Sequence, residues 1–155
     1  MRHANPSSDN SDLIKILFSN IGGSDSEMSS FSLYLYNHWN TQNNPEISKI
    51  FFTLSMQELN HLHSFGKLAV SLGADPRLWE KKTRKMQYWS PKFLRYTPKV
   101  RQMVSNALYS EYLSIEKYKT QLAKTAGSAL EKILTEILRE EQVHVQQLKK
   151  LLQIL

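Results

Sequence analysis

Glu58 and His61 lie three residues apart, and Glu141 and His144 repeat the spacing. On a helix this puts both side chains of a pair on one face, one turn apart. Both pairs interrupt apolar stripes. One stripe runs Ile47, Ile50, Phe51, Leu54, Glu58, His61, Phe65, Leu68, Leu72; the other runs Leu130, Ile133, Leu134, Ile137, Glu141, His144, Leu148, Leu151. A carboxylate buried alone is costly. A divalent metal removes that cost, and one imidazole with one or two carboxylates makes half of a metal site. A single Glu–x–x–His is more often a surface pair. The chain has ten glutamates and five histidines, so two such pairs, both on apolar stripes, point to ligands.

Register adds a second argument. Glu27 is followed by Tyr34 and Glu111 by Tyr118, seven residues later in each case. Glu27 precedes Glu58 by 31 residues and Glu111 precedes Glu141 by 30, which makes an internal two-fold repeat. The turns between the paired segments fall near residues 42–44 and 126. At 1.5 Å per residue, Glu27 and Glu58 each sit roughly 23 Å from their turn, and Glu111 and Glu141 match them. All four glutamates therefore share one layer. The expected metal ligands are Glu27, Glu58, His61, Glu111, Glu141 and His144. Glu58 and Glu141 are expected to bridge two metals, each metal carrying one histidine, with Glu27 and Glu111 as terminal ligands. Four carboxylates and two imidazoles suit Fe or Mn better than Cu, and Zn would bind as an adventitious occupant. Tyr34 and Tyr118 are either core aromatics or hydrogen-bond donors to the ligand carboxylates. His38 reads as a satisfied core or interface histidine. His63, Glu116 and Glu140 are expected off the site, Glu140 in solvent.

The elements that must position these residues are helices, since the stripes repeat at three and four. A short apolar segment, Leu13 to Phe18, is interrupted by Gly22 and Gly23, which allow a sharp change of direction. Ser24 or Ser26 caps the next helix, Ser24 with Glu27 in a capping-box spacing. Long helices are expected over about 25–41, 46–72, 98–123 and 128–154. Asn43, Asn44 and Pro45 separate the first two, Gly73 ends the second, and Gly127 marks the last break. Residues 74–97 form a long linker, with a short helix possible around 77–88 and aromatics (Trp79, Trp89, Tyr96) to pack it down. The fold class is all-α: an antiparallel four-helix bundle with a long crossover between helices two and three and a short N-terminal helix. Residues 1–10 read as a flexible tail ending near a cap at Ser11 or Asp12, and 11–155 as the bundle domain.

Composition narrows the chemistry. The chain has 155 residues and no cysteine, which excludes disulfides, thiolate zinc sites, iron–sulfur clusters and cysteine nucleophiles. No apolar run is long enough for a transmembrane helix, and no signal region follows Met1; the cytoplasm is the expected compartment. The net charge of +6 is concentrated in residues 81–101, which hold Lys81, Lys82, Arg84, Lys85, Lys92, Arg95, Lys99 and Arg101 and no acid. This segment reads as a solvated crossover and not as a nucleic-acid surface, since no groove-reading motif accompanies it.

The sequence resembles the ferritin-like superfamily, and within it the stand-alone rubrerythrin-like domains. The resemblance spans roughly residues 12–154. It rests on Ser26-Glu27-Met28-Ser29-Ser30-Phe31 with Tyr34, Tyr36 and His38. It continues through Met56-Gln57-Glu58-Leu59-Asn60-His61-Leu62 and Leu72-Gly73-Ala74-Asp75-Pro76-Arg77. Tyr96-Thr97-Pro98-Lys99-Val100 with Glu111 and Tyr118, and Glu140-Glu141-Gln142-Val143-His144, complete it. It implies ferritin-like connectivity and the same six ligands. Two departures stand out. The cysteine-ligated rubredoxin module of full rubrerythrins is missing from this sequence. Their additional glutamate near the third-helix ligand is also missing, since Leu108 and Ser114 occupy the adjacent turns. Any electrons would come from a separate donor.

The expectation that follows is a dinuclear Fe or Mn oxidoreductase reacting with dioxygen or hydrogen peroxide. Two other functions stay open: a non-enzymatic iron-binding, storage or sensing protein, and a metal-free structural or partner-binding bundle. The surplus of aromatics on the first long helix favours a homodimer.

Overall fold

The computed structural model describes residues 8–155. Five α-helices dominate: α1 (Ser8–Gly22), α2 (Glu27–Trp39), α3 (Pro45–Ser71), α4 (Val100–Leu122) and α5 (Ala129–Ile154). Pairs α2–α3 and α4–α5 are hairpins, joined by a crossover over 72–99. This is the four-helix bundle with a long second connection that the pattern predicts. The first column of the bundle is broken: α1 and α2 follow one another along it, each covering half of the length.

Local chemistry sets the helix ends. Ser26 caps α2, its side chain accepting from the Ser29 amide; Ser24 does not, because the Glu27 carboxylate that would complete that box turns inward. Asn44 caps α3 with Pro45 at its first position, and Ser128 caps α5, with Glu131 accepting in return from the Gly127 amide at 2.6 Å. Gly127 takes φ +77°, the left-handed value that glycine allows. At Gly22 the reason for glycine is space: a Cβ there would come within 2.2 Å of the Trp79 backbone nitrogen.

Two expectations need correction. Helix α1 begins at Ser8, ahead of Ser11 or Asp12, so only residues 1–7 of the expected tail lie outside the described residues. A helix start tolerates that polar run, since its first turn favours acidic residues. The short helix sought around 77–88 is a β-hairpin, β1 (Trp79–Lys82) against β2 (Lys85–Tyr88), with Trp79 opposite Tyr88. Its tight turn places Thr83 at φ 50°. Glu80 is the one buried residue of the hairpin, and Lys82, on the same face, pairs with it at 3.1 Å. The linker aromatics do pack down. Trp79 meets Phe18 edge-on at 5.9 Å, Tyr96 meets Tyr36 at 4.3 Å, and the Trp89 indole donates to Ser29 Oγ at 2.9 Å. The basic residues of the hairpin are exposed. Among the described residues no helix is long and apolar enough to cross a membrane.

The core divides in two. One apolar cluster joins Leu17 and Ile21 of α1 to Phe65, Leu68, Tyr118, Leu130, Leu134 and Ile137. The other joins Tyr34 of α2 to Ile47, Phe51, Leu54, Met103, Val104, Leu148 and Leu151. Between them, at mid-bundle, lies a polar layer.

Candidate metal centre

That layer contains all six residues singled out by the sequence. Glu27, Glu58, His61, Glu111, Glu141 and His144 each expose 3% or less of their surface. Glu27 is the first residue of α2; the others project from the middles of α3, α4 and α5. His61 Nδ1 lies 3.6 Å from Glu27 Oε2, 3.5 Å from Glu58 Oε2 and 3.4 Å from Glu141 Oε1. His144 Nδ1 lies 3.0 Å from Glu58 Oε1, 3.5 Å from Glu111 Oε1 and 3.0 Å from Glu141 Oε2. The two imidazoles stand nearly parallel, with centroids 5.9 Å apart.

The donors sort into two overlapping groups: Glu27, Glu58, His61, Glu141, and Glu58, Glu111, Glu141, His144. Within each group, one donor atom per residue lies within 4.8 Å of every other. Glu58 and Glu141 belong to both. Two buried Glu/His clusters sharing two carboxylates form a dinuclear carboxylate site.

The fit to cations is tested by the hydrogen bonds the layer fails to make. Glu58 Oε1, His61 Nδ1, Glu141 Oε2 and His144 Nδ1 are buried with no hydrogen-bond partner. Unsatisfied buried polar atoms cost about 1–3 kcal/mol each, more when charged. These four all face the centre of the layer, and a pair of divalent cations would satisfy them together. The donor set, carboxylate-rich with one imidazole per cluster, suits such ions.

Proton affinities in the layer follow from the same crowding. Burial, and then the neighbouring charge of Glu58, raises the pKa of Glu27; burial, Glu141 and Glu58 raise that of Glu111. Burial also pushes Glu58 upward, but its close contacts with Glu27, His144 and His61 outweigh it and hold this carboxyl well below its ordinary range. Glu141 is likewise lowered: Glu111, His144 and His61 overcome burial and the charge of Glu58. Burial disfavours charge on the imidazoles, yet the surrounding carboxylates win. His61 is raised far above its ordinary value and His144 is pushed up to about 12. The shifts run in opposite directions within the layer: Glu58 and Glu141 are favoured as carboxylates, while Glu27 and Glu111 are pushed toward the protonated form.

The outer face of the layer is built from four bonds, all of them between the two hairpins. Tyr34 donates to Glu111 Oε1 at 2.5 Å, and Tyr118 donates to Glu27 Oε1. Burial raises both phenols and so keeps them protonated as donors. His61 Nε2 donates to Glu140 Oε2 at 2.7 Å, and His144 Nε2 donates to Gln57 Oε1 at 2.9 Å. Glu140 thus corrects an expectation. It is 52% exposed, but its carboxylate tip folds back onto His61. Sequence reasoning missed Gln57 as well. The available signal was position: each residue immediately precedes a glutamate shared by both clusters. His38 is satisfied as expected, with Nδ1 at 2.9 Å from both Ser48 O and Ser48 Oγ. His63 and Glu116 are exposed and lie off the site.

A cavity of about 640 Å³ opens beside this layer, lined by Ser29, Ser30, Tyr34, Arg95, Ser110 and Leu113 among others. Tyr34 belongs to both the cavity wall and the layer.

Fold and site together define a ferritin-like domain with a dinuclear carboxylate site. The chain belongs to the rubrerythrin family, whose model matches residues 23–152. Among solved structures, the fold resembles KatB, a manganese catalase from Anabaena, with TM-score 0.81 and 18% identity over 99% of this chain and 74% of that one. It resembles a mycobacterial bacterioferritin (TM-score 0.73, 20% identity, 93% of this chain and 84% of that one). It also resembles the bacterioferritin of Rhodobacter capsulatus, with TM-score 0.77 and 19% identity over 92% of this chain and 84% of that one. At these identities the likeness is one of fold. A comparison with curated protein sequences finds no match.

Proposed function

We propose that the protein is a dinuclear Fe or Mn oxidoreductase that reacts with dioxygen or hydrogen peroxide in the cytoplasm. The observation that carries this reading is the pair of buried Glu/His clusters sharing Glu58 and Glu141. Glu27, Glu58, His61 and Glu141 would hold one metal, and Glu58, Glu111, Glu141 and His144 the other. When bound, the metals supply one-electron redox steps between the +2 and +3 states and open positions for a small oxidant.

The residues of the chain do the rest. Four carboxylates balance the charge of two divalent ions inside a low-dielectric core. Tyr34 and Tyr118 hold Glu111 and Glu27 by their O–H groups, which fixes the remaining oxygens toward the centre. The two apolar clusters on either side keep bulk water out of the layer. Electrons for repeated turnover would come from a donor outside these residues.

The orphaned atoms argue against the metal-free bundle, in which the polar residues would have to satisfy one another. Elemental analysis of protein purified without added metal, combined with an anomalous diffraction map, tests occupancy. Two peaks within the Glu/His layer are expected, and a layer that stays empty when Fe or Mn is supplied would defeat the proposal. Stopped-flow absorbance of the Fe(II) form mixed with oxygen or peroxide then separates catalysis from storage. Repeated turnover with a reductant is expected; a single oxidation without recycling would instead assign an iron-binding role, the reading under which the likeness to bacterioferritins carries over.

A further inference from the structure

We propose that Glu140 and Gln57 are positioning residues that make the two metal positions unequal, so that the position served by His61 fills first. The inference rests on the dinuclear reading above. Each imidazole turns Nδ1 toward the shared carboxylates and Nε2 outward. The residue that receives each Nε2–H comes from the opposite hairpin and sits one position before a shared glutamate: Glu140 before Glu141, Gln57 before Glu58. The two halves of the site are otherwise matched. Each has a terminal glutamate held by a tyrosine, one histidine, and the same two shared carboxylates. Among the groups that touch the imidazoles, the repeat is broken here, with a carboxylate on one side and a neutral amide on the other.

The difference has a direct physical effect. A hydrogen bond to a carboxylate is charge-assisted and stronger than one to an amide, and 2.7 Å against 2.9 Å agrees with that order. By drawing on the Nε2 proton, Glu140 raises electron density at Nδ1 of His61 and makes it the better ligand. Its negative charge adds to the attraction for a cation on that side. Lys117 is a cation near the same half and opposes this attraction, but burial disfavours its charged form, and its Nζ is engaged by the Asp25 carbonyl at 2.8 Å and the Tyr118 ring, not by His61. Residues in this outer position change metal affinity by about 10- to 100-fold when altered.

Two nearly isosteric variants test the idea: Glu140→Gln makes both sides amides, and Gln57→Glu makes both sides carboxylates. Metal-free protein is titrated with Mn(II), with bound metal read by equilibrium dialysis and by electron paramagnetic resonance, which distinguishes an isolated ion from a coupled pair. In the native chain two steps are expected, differing by about tenfold or more, with isolated Mn(II) dominating after one equivalent. An anomalous map at that point places the ion beside His61. Glu140→Gln weakens the tighter step and Gln57→Glu strengthens the weaker one. Both variants merge the steps, and the double exchange restores two steps with the order reversed. A structural role alone predicts no such opposite shifts, because the shapes are conserved. Two equal steps in the native chain, or an unchanged titration in Glu140→Gln, would overturn the inference while leaving the dinuclear site intact. Failure of every form to bind metal would overturn both.

Discussion

Tyr34 donates its phenolic hydrogen to Glu111, on α4, and not to Glu27, seven residues earlier on its own helix. Tyr118 mirrors it, donating from α4 to Glu27 at the start of α2. The spacing of seven in each half therefore does not describe a contact within a helix. It places each tyrosine two turns along its helix from the glutamate of its own half, with its ring in a flanking apolar cluster and its hydroxyl on the glutamate of the other half.

Removing a tyrosine hydroxyl leaves a buried carboxyl short of a donor. Tyr34→Phe and Tyr118→Phe are each expected to lower the stability of the metal-free chain by about 1–3 kcal/mol. Urea unfolding followed by circular dichroism measures this. An unchanged midpoint would mean that these bonds contribute nothing.

The clusters share Glu58 and Glu141 but not Glu27 or Glu111. Glu58→Gln or Glu141→Gln is expected to reduce both metal positions together, while Glu27→Gln or Glu111→Gln weakens one and leaves the other. Metal per chain, measured on protein dialysed against a fixed low metal concentration, distinguishes the two patterns.

Metal uptake must displace protons. His61 and His144 have folded pKa values raised well above neutrality, so they hold protons that a cation would expel, and the upward shifts of Glu27 and Glu111 act in the same direction. Apparent affinity for Mn(II) or Fe(II) is therefore expected to rise with pH. Calorimetry in buffers of different ionisation enthalpy counts the released protons. The sign for the metal-free chain is opposite. Above the ordinary histidine value of 6.5 the folded form binds more protons than the unfolded one, and stability falls as pH rises toward the folded His144 value of about 12. The lowered Glu58 and Glu141 act at the other end, their contribution being lost as pH falls below the ordinary 4.5. A metal-free chain that grew more stable between about pH 7 and pH 9 would contradict this.

Loading should raise the melting temperature. A ligand at a hundred times its Kd adds about 2.7 kcal/mol, which for a chain of this size is a shift of roughly 5–10 °C. Scanning calorimetry with and without a chelator reads it directly. Coincident transitions would mean that the folded state gains nothing from the ion.

Gly22→Ala probes the support instead of the site. The new methyl would lie 2.2 Å from the Trp79 nitrogen and 2.6 Å from the Leu78 carbonyl carbon, so the crossover must move. A loss of about 1–3 kcal/mol is expected, with metal content unchanged.

The six central residues were legible because both constraints on them are periodic. Helical spacing puts Glu58 with His61 and Glu141 with His144, and the matching 31- and 30-residue separations bring the pairs to one level. Glu140 was not legible. Its position on α5 faces outward, and only the approach of α3 brings a partner to it. The hairpin at Trp79–Tyr88 was missed because its lysine-rich run lacks the apolar alternation of an ordinary half-buried strand. Its one inward side chain is a glutamate. Between Ser24 and Ser26 the sequence offered Ser24 the capping-box spacing with Glu27, but Ser26 is the cap and Glu27 is buried in the layer.

Neither donor cluster can be completed within one hairpin: the first takes Glu141 from α5, and the second takes Glu58 from α3. The order of events during maturation is thereby constrained. A chain whose halves have not yet docked offers at most three of the four donors of either cluster. Full four-donor coordination would therefore report that the two hairpins have docked.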